Sequence, residues 1–450
     1  MARQMIMVGF LQAQNCTNLA SSWRHPASRT DFMSADYYQE IGRILERGKF
    51  HLAFFDDRLS MPDRYGDDHV HAVENGIRCV KMDPVAVMMA MGMATTRLGL
   101  GSTASTTYYE PFHIARQFAT VDQMTGGRAA WNVVTSLNDG EALNMGRDGV
   151  MEHDLRYERA DEFMEVVMGH WHAWDSDALI LDKSTGRFGD GHKVRRLNHE
   201  GRFFKSRGPF TVPRSAQGHP VIIQAGASGR GRRFAGRWAE IVFTAIPQIE
   251  AASRVYTQLK DEAVSVGRNP DDMHICSLVY TVSAPTKAEA EDKMALIETL
   301  PLEIDALSLL SEALNFDFAS KGMNEAFSDL ELASINGLQT MRDRVVAVAG
   351  TPNPTVRDFI RISGRGRPHH AIVGGPDEVA DGLELMFETR ACDGFVIAAT
   401  HVPGSYVDFV DNVVPELQRR GLYHRDYAGP TLRENLGLPL PAAGPWRGPA

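Results

Sequence analysis

Short apolar runs alternate along the chain with longer stretches whose apolar residues recur every three to four positions. The runs at residues 5–11, 51–55, 96–101, 129–134, 221–224, 241–244, 274–282 and 394–398 read as strands. Several are apolar almost throughout rather than at every second position, which marks strands covered on both faces. Helical stretches follow them at 35–48, 84–95, 112–124, 156–174, 229–239, 248–266, 287–299 and 406–419. Strands that alternate with amphipathic helices imply a parallel sheet with helices outside. Eight such units in one chain favour closure into an α/β fold of the (β/α)8 TIM-barrel type, as a single domain over residues 1–450.

Four stretches exceed a bare barrel, at residues 60–82, 137–154, 175–218 and 301–370. Each enters from a strand-side loop, where barrels build their sites. The third holds β-like pieces at 202–205 and 209–212, which predict a small hairpin. The fourth begins helical and turns Gly-, Pro- and Arg-rich. It reads as a lid, because long loops in compact domains are more often functional or disordered than decorative. Its arginines Arg342, Arg344, Arg357, Arg361, Arg365 and Arg367 read as a solvated run. The tail at 422–450, with Leu436, Leu438 and Leu440, fits either a neighbouring subunit or the chain's own barrel.

Composition narrows the function. With 43% hydrophobic and 23% charged residues the chain can bury a large core. A net charge of −10 argues against nucleic acid, whose phosphates demand a basic face. The apolar stretch at 85–93 is far too short to span a bilayer, and the first residues lack the basic and apolar regions of a leader, so a cytoplasmic protein is expected. Cys16, Cys79, Cys276 and Cys392 lie far apart and read as free thiols. No HExxH, no clustered Cys/His spacing, no GxSxG and no P-loop occurs, and no metal site is expected.

Five segments carry chemistry. QAGASGRGRRFAG, residues 224–236, sits where a strand ends and a helix begins. Gly226 and Gly229 let an anion approach the backbone, helix-start N–H groups face it, and Ser228 and Arg230 can add a hydroxyl and a charge. A Gly-rich turn capped by Ser228 explains the pattern equally well. FFDDRL places Asp57 at the top of the second strand, for a ring N–H or a polyol, or else for capping the next turn. GLGSTASTTYYEP offers Thr103 among small residues against which a flat ring can lie; an ordinary Ser/Thr-rich strand end is the alternative. WNVVTS buries Asn132, whose amide needs partners. In EHDLRYERADEF, His153 and Tyr157 share one helical face and can grip one anion or simply lie on a surface.

Together these segments resemble the nitrilotriacetate and dibenzothiophene sulfone monooxygenase family, within the bacterial-luciferase-like superfamily. The resemblance runs through WRHP (23–26), ERGKF (46–50), ATVDQMTGGRAAWNVVTS (119–136), EHDLRY, GHPVIIQAG (218–226) and PGSYVDFVDNVVPELQRRG (403–421). It implies a barrel that takes FMN as FMNH2 from a separate NAD(P)H:flavin reductase. It implies flavin contacts at Asp57, Thr103, His153, Tyr157 and Ser228, and a homodimer or homotetramer. Oxygen would be held as a flavin peroxide, which the protein must shield from water. His25 in WRHP is the candidate acid or base, with a structural histidine beside Trp23 as the alternative. The phrases DALILDKSTGRFGD (177–190) and GRRFAGRWAE (231–240) point to an aromatic organosulfur or halogenated aromatic substrate. Other readings are the same chemistry on an aminopolycarboxylate such as nitrilotriacetate, an F420-dependent dehydrogenase, and a non-catalytic flavin-binding protein.

Overall fold

The computed structural model describes residues 3–226, 229–368, 370–446 and 448. Eight parallel strands form the barrel: β1 Ile6–Gln12, β2 Leu52–Asp56, β3 Gly99–Ser105, β4 Ala129–Val134, β5 Val221–Ala225, β6 Ile241–Thr244, β7 His274–Ser283 and β8 Gly394–Ala398. Each pairs with its neighbours in sequence, and β8 returns to β1 in the register Val8↔Val396, which closes the ring. All eight fall where the apolar runs predict them. β3 extends four residues beyond its expected end at residue 101, because the small hydroxyl residues Ser102, Thr103 and Ser105 continue the buried ladder.

The two-residue period of a strand divides the core in two. Ile6, Val8, Leu52, Phe54, Ala130, Ile223 and Val396 fill the barrel interior. Met5, Met7, Ala53, Phe55, Trp131 and Ile222 face outward into the layer beneath the helices. The tail belongs to the interior: Leu432, Leu436 and Leu438 join the inner cluster, and the Leu432 N–H donates to the Gly127 carbonyl at 3.0 Å. Of the two placements the sequence left open, the tail takes its own barrel, and it packs where the strands begin, away from the mouth. Arg433 anchors it through an ion pair with Glu240 that is buried on both sides.

The predicted helices recur within a few residues. The sequence reading passed over one unit, the strand Ala371–Gly374 and the helix Pro376–Glu388. The strand extends the sheet from β7 in the register Tyr280↔Ala371, and the helix leads into β8. The insertion at 175–218 forms two hairpins, Leu179–Asp182 with Arg187–Gly189 and His199–Glu200 with Lys205–Ser206. Residues 209–212 form no strand; Pro209 has no N–H to give a ladder. The insertion at 301–370 is more regular than its Gly-, Pro- and Arg-rich second half suggested. Helices Glu303–Leu314, Asp329–Ser334, Gln339–Ala349 and Val356–Ser363 enclose a core of their own around Leu310, Leu314, Phe318, Phe327 and Phe359. No helix among the described residues is long and apolar enough to cross a membrane.

Candidate active site

The carboxyl ends of the strands open onto a cavity of about 260 Å³. Asp56, Asp57 and Arg58 line it from the end of β2, and residues 133–138 from the end of β4. Gln224 and Ala225 close it from β5, Tyr157 and Phe234 from the surrounding helices, and Glu141 from the short helix Asp139–Asn144.

Asn132 shares the inward face of β4 with Ala130, and its neighbour on β3 in register is Thr103. The Thr103 hydroxyl donates to the Phe55 carbonyl at 3.1 Å and accepts from the Asn132 Nδ2 at 2.9 Å. Thr103 thus spends its hydroxyl on fixing Asn132, and neither residue belongs to the cavity lining itself. The buried Asn132 Oδ1 has no partner among the described residues, and neither has Gln224 Oε1. An unmet buried acceptor costs about 1–3 kcal/mol, so both oxygens suit a bound group that carries N–H or O–H donors.

The helix His153–Trp171 starts at the rim because Glu152 caps it, accepting from the N–H groups of Asp154 at 2.9 Å and Leu155 at 2.8 Å. The cap fixes the first turn, and the rings of His153 and Tyr157 come 5.2 Å apart on one face. His153 is exposed, its Nδ1 2.8 Å from Asp154 Oδ1, whereas Tyr157 packs edge-on against Phe234 at 5.7 Å. Against Tyr157 packs the helix Gly229–Trp238. Gly226, at φ +151°, holds a backbone shape open mainly to glycine, and a Cβ there would press on the Gln224 amide at 3.0 Å. Gly229 is exposed, and a Cβ on it would meet nothing among the described residues. Ser228 lies outside the described residues. Arg230 is not free for a ligand: it bonds Asp161 at 2.5 Å and covers the Tyr157 ring.

Burial raises the Asp57 carboxyl to about 7, against the lowering pull of Lys81. Burial also lowers Lys81 to about 8, helped by the cations of Arg58 and Arg78. His25 is elsewhere. It stacks on His401 with ring centres 3.7 Å apart, its Nδ1 accepts from the Ala27 N–H, and it is absent from the cavity lining. Of the expected residues Asp57 and Tyr157 line the cavity; Asn132 and Gly226 adjoin the lining residues Val133 and Ala225, His153 lies one helical turn from Tyr157, Gly229 begins the helix that supplies Phe234, and His25 stands apart. Gln224, Glu141 and Lys81 were missed. The argument made for Asn132, a buried amide near a strand end, applied equally to Gln224.

The family model of luciferase-like monooxygenases matches residues 14–393. A dibenzothiophene-sulfone monooxygenase from Rhodococcus erythropolis is 43% identical, over 98% of each chain. An N-acetyl-S-(2-succino)cysteine monooxygenase from Bacillus subtilis is 38% identical, again over 98% of each chain. Among solved structures, a riboflavin lyase crystallised with modified FMN and riboflavin superposes with a TM-score of 0.88 at 32% identity, covering 97% of this chain and 96% of that one.

Proposed function

Because this chain belongs to the luciferase-like monooxygenases and is a flavin-dependent monooxygenase, we propose that it uses FMNH2 supplied by a separate NAD(P)H:flavin reductase, and that it oxidises a small sulfur-bearing organic compound. The observation that carries the flavin half is the pair of unmet acceptors, Gln224 Oε1 in the cavity wall and Asn132 Oδ1 beside the lining residue Val133, in a barrel mouth that also offers an exposed helix start at Gly229. The isoalloxazine edge has the ring N–H that such an oxygen lacks. The N–H groups from Gly229 onward, with Tyr157 and His153 facing them, suit the phosphate. The solved relative with modified FMN supports FMN as the form bound. The sulfur substrates in the names of both relatives support the substrate half.

When bound, reduced flavin supplies the electrons that activate O2, one atom of which enters the substrate. The chain's own residues bind, orient and exclude water. Asn132, locked by Thr103, holds the ring edge. Asp57, raised to about 7, keeps its proton near neutrality and can donate from its carboxyl to a ring or polyol acceptor. Val133, Val134 and Phe234 make the apolar part of the wall, which limits access of water. His25 has no step in this reading.

Anaerobic titration with reduced FMN tests it. FMNH2 is expected to bind, and Asn132→Ala to weaken binding about tenfold while the fold is kept, as a lost hydrogen bond of about 1.4 kcal/mol requires. With a generic flavin reductase, NADH and organosulfur compounds, oxygen uptake should exceed the substrate-free rate. Failure to bind FMNH2 would sink the reading.

A further inference from the structure

Beside the flavin cavity lies a smaller chamber of about 10 Å³, room for a single water. Four cations and one carboxyl line it: Arg58, Arg78, Lys81 and Arg365, with Glu312. They come from three separate stretches. Arg58 follows β2 and lines both chambers; Arg78 and Lys81 end the insertion at 60–82; Arg365 comes from the turn after the helix Val356–Ser363.

The cations lack ion-pair partners. Elsewhere the fold neutralises its sheltered arginines: Arg420 pairs with Glu416, Asp381 and Glu384, Arg24 with Asp305, and Arg433 with Glu240. Among the described residues none of the four chamber cations forms an ion pair within 4.0 Å. Arg78, only 9% exposed, donates to the Asn18 side chain at 2.6 Å, but its buried Nε meets no acceptor. Its backbone sits at φ +48°, a shape that costs a non-glycine residue energy and that the surroundings must impose. Asn18 is held in turn by donating to the Tyr280 hydroxyl at 3.0 Å.

Nearby acids do not settle the imbalance. Burial raises the carboxyl of Asp57 to about 7 and raises that of Glu312 in the chamber wall, and with Asp56 they set three acids against four cations. Arg365 is pushed down to about 9, first by burial and then by the charges of Arg78 and Arg58. A cluster of cations that repel each other in a sheltered chamber is stabilised by an incoming anion.

We propose that this chamber receives one oxygen of a carboxylate or sulfur oxyacid group on the substrate in place of the water, so that the enzyme acts on an organosulfur acid whose charged end is held at Arg58, Arg78, Lys81 and Arg365 while its sulfur faces the flavin. The proposal rests on the flavin reading above and adds the charge of the substrate to it. Arg365 makes the insertion at 301–370 part of the specificity apparatus.

The test is equilibrium binding of (phenylthio)acetate and of its methyl ester to the enzyme loaded with FMN. The acid is expected to bind about ten- to hundredfold tighter than the ester, and the preference to shrink as salt is added. Arg365→Met should bring acid and ester close to parity with FMN affinity retained, and Arg365→Lys should keep most of the preference. Retained FMN affinity in the Met variant shows that its loss of preference is not misfolding. Equal affinity for acid and ester, or no binding of the acid at millimolar concentration, would overturn the proposal. Failure of FMN itself to bind would strike the earlier reading instead.

Discussion

Asp57 and Lys81 set opposite dependences of stability on pH. The folded Asp57 titrates at about 7 against 3.8 for the free side chain, so between those values the native state holds a proton that the unfolded state has released. Its contribution to stability therefore falls as pH rises from about 4 to about 7, and is constant above. Lys81 titrates at about 8 in the fold against 10.5 free, so its contribution rises across that window. Asp57→Asn is expected to remove the fall: urea midpoints of variant and parent should diverge in the variant's favour between about pH 5 and pH 7. A constant difference across that range would show that Asp57 titrates normally. At this scale the sequence was partly legible. Asp57, Asn132, His153 and Tyr157 stand in local patterns whose residue types state their chemistry. Arg58, Arg78, Lys81 and Arg365 share no pattern, because only the folded insertions bring positions so far apart in the chain together. Arg365 was read with its neighbours as solvated, and Arg361 is indeed exposed, but Arg365 turns inward.

Elements were legible where burial is complete. The eight barrel strands are largely buried on both faces and most are apolar almost throughout, so their runs stand out. The strand Ala371–Gly374 is short and only partly buried, which leaves it a weak signal. The helix Pro376–Glu388 did carry one, with Pro at its first turn and Val379, Ala380, Leu383 and Phe387 on one face. The tail is the element whose role the sequence could not decide, since its leucines suit any apolar surface. Its anchor makes a sharp prediction. Glu240, lowered to about 2 by Arg433 although burial opposes it, stabilises the fold above its free value of 4.5, and that stabilisation is lost as pH falls towards 2. Arg433→Ala strands a buried carboxylate and should cost about 3–5 kcal/mol in chemical denaturation. The double variant Arg433→Met with Glu240→Gln should recover much of it. A small cost for Arg433→Ala alone would mean that the tail is loosely held.

The whole molecule has two kinds of core. The barrel packs an inner and an outer cluster on the two faces of the same eight strands, whereas the insertion at 301–370 packs largely around its own phenylalanines. Units with separate cores open separately. Hydrogen exchange should therefore find the amides of Gln339–Ala349 and Val356–Ser363 exchanging well before those of β3 and β4, and an acid ligand in the Arg365 chamber should slow the former. Uniform protection across both would show one cooperative unit. The closure of the ring also has a consequence in time. β2 can pair with β1 early in synthesis, but the other edge of β1 must wait for β8, from Ile6 to Gly394. At ribosomal speeds of about 5–20 residues per second that wait is about 20–80 s. Throughout it residues 6–12 show a bare strand edge, open to pairing with other nascent chains. The interior must wait longer still, for Leu432, so a growing polypeptide spends its vulnerable period with both its seam and its floor unmade.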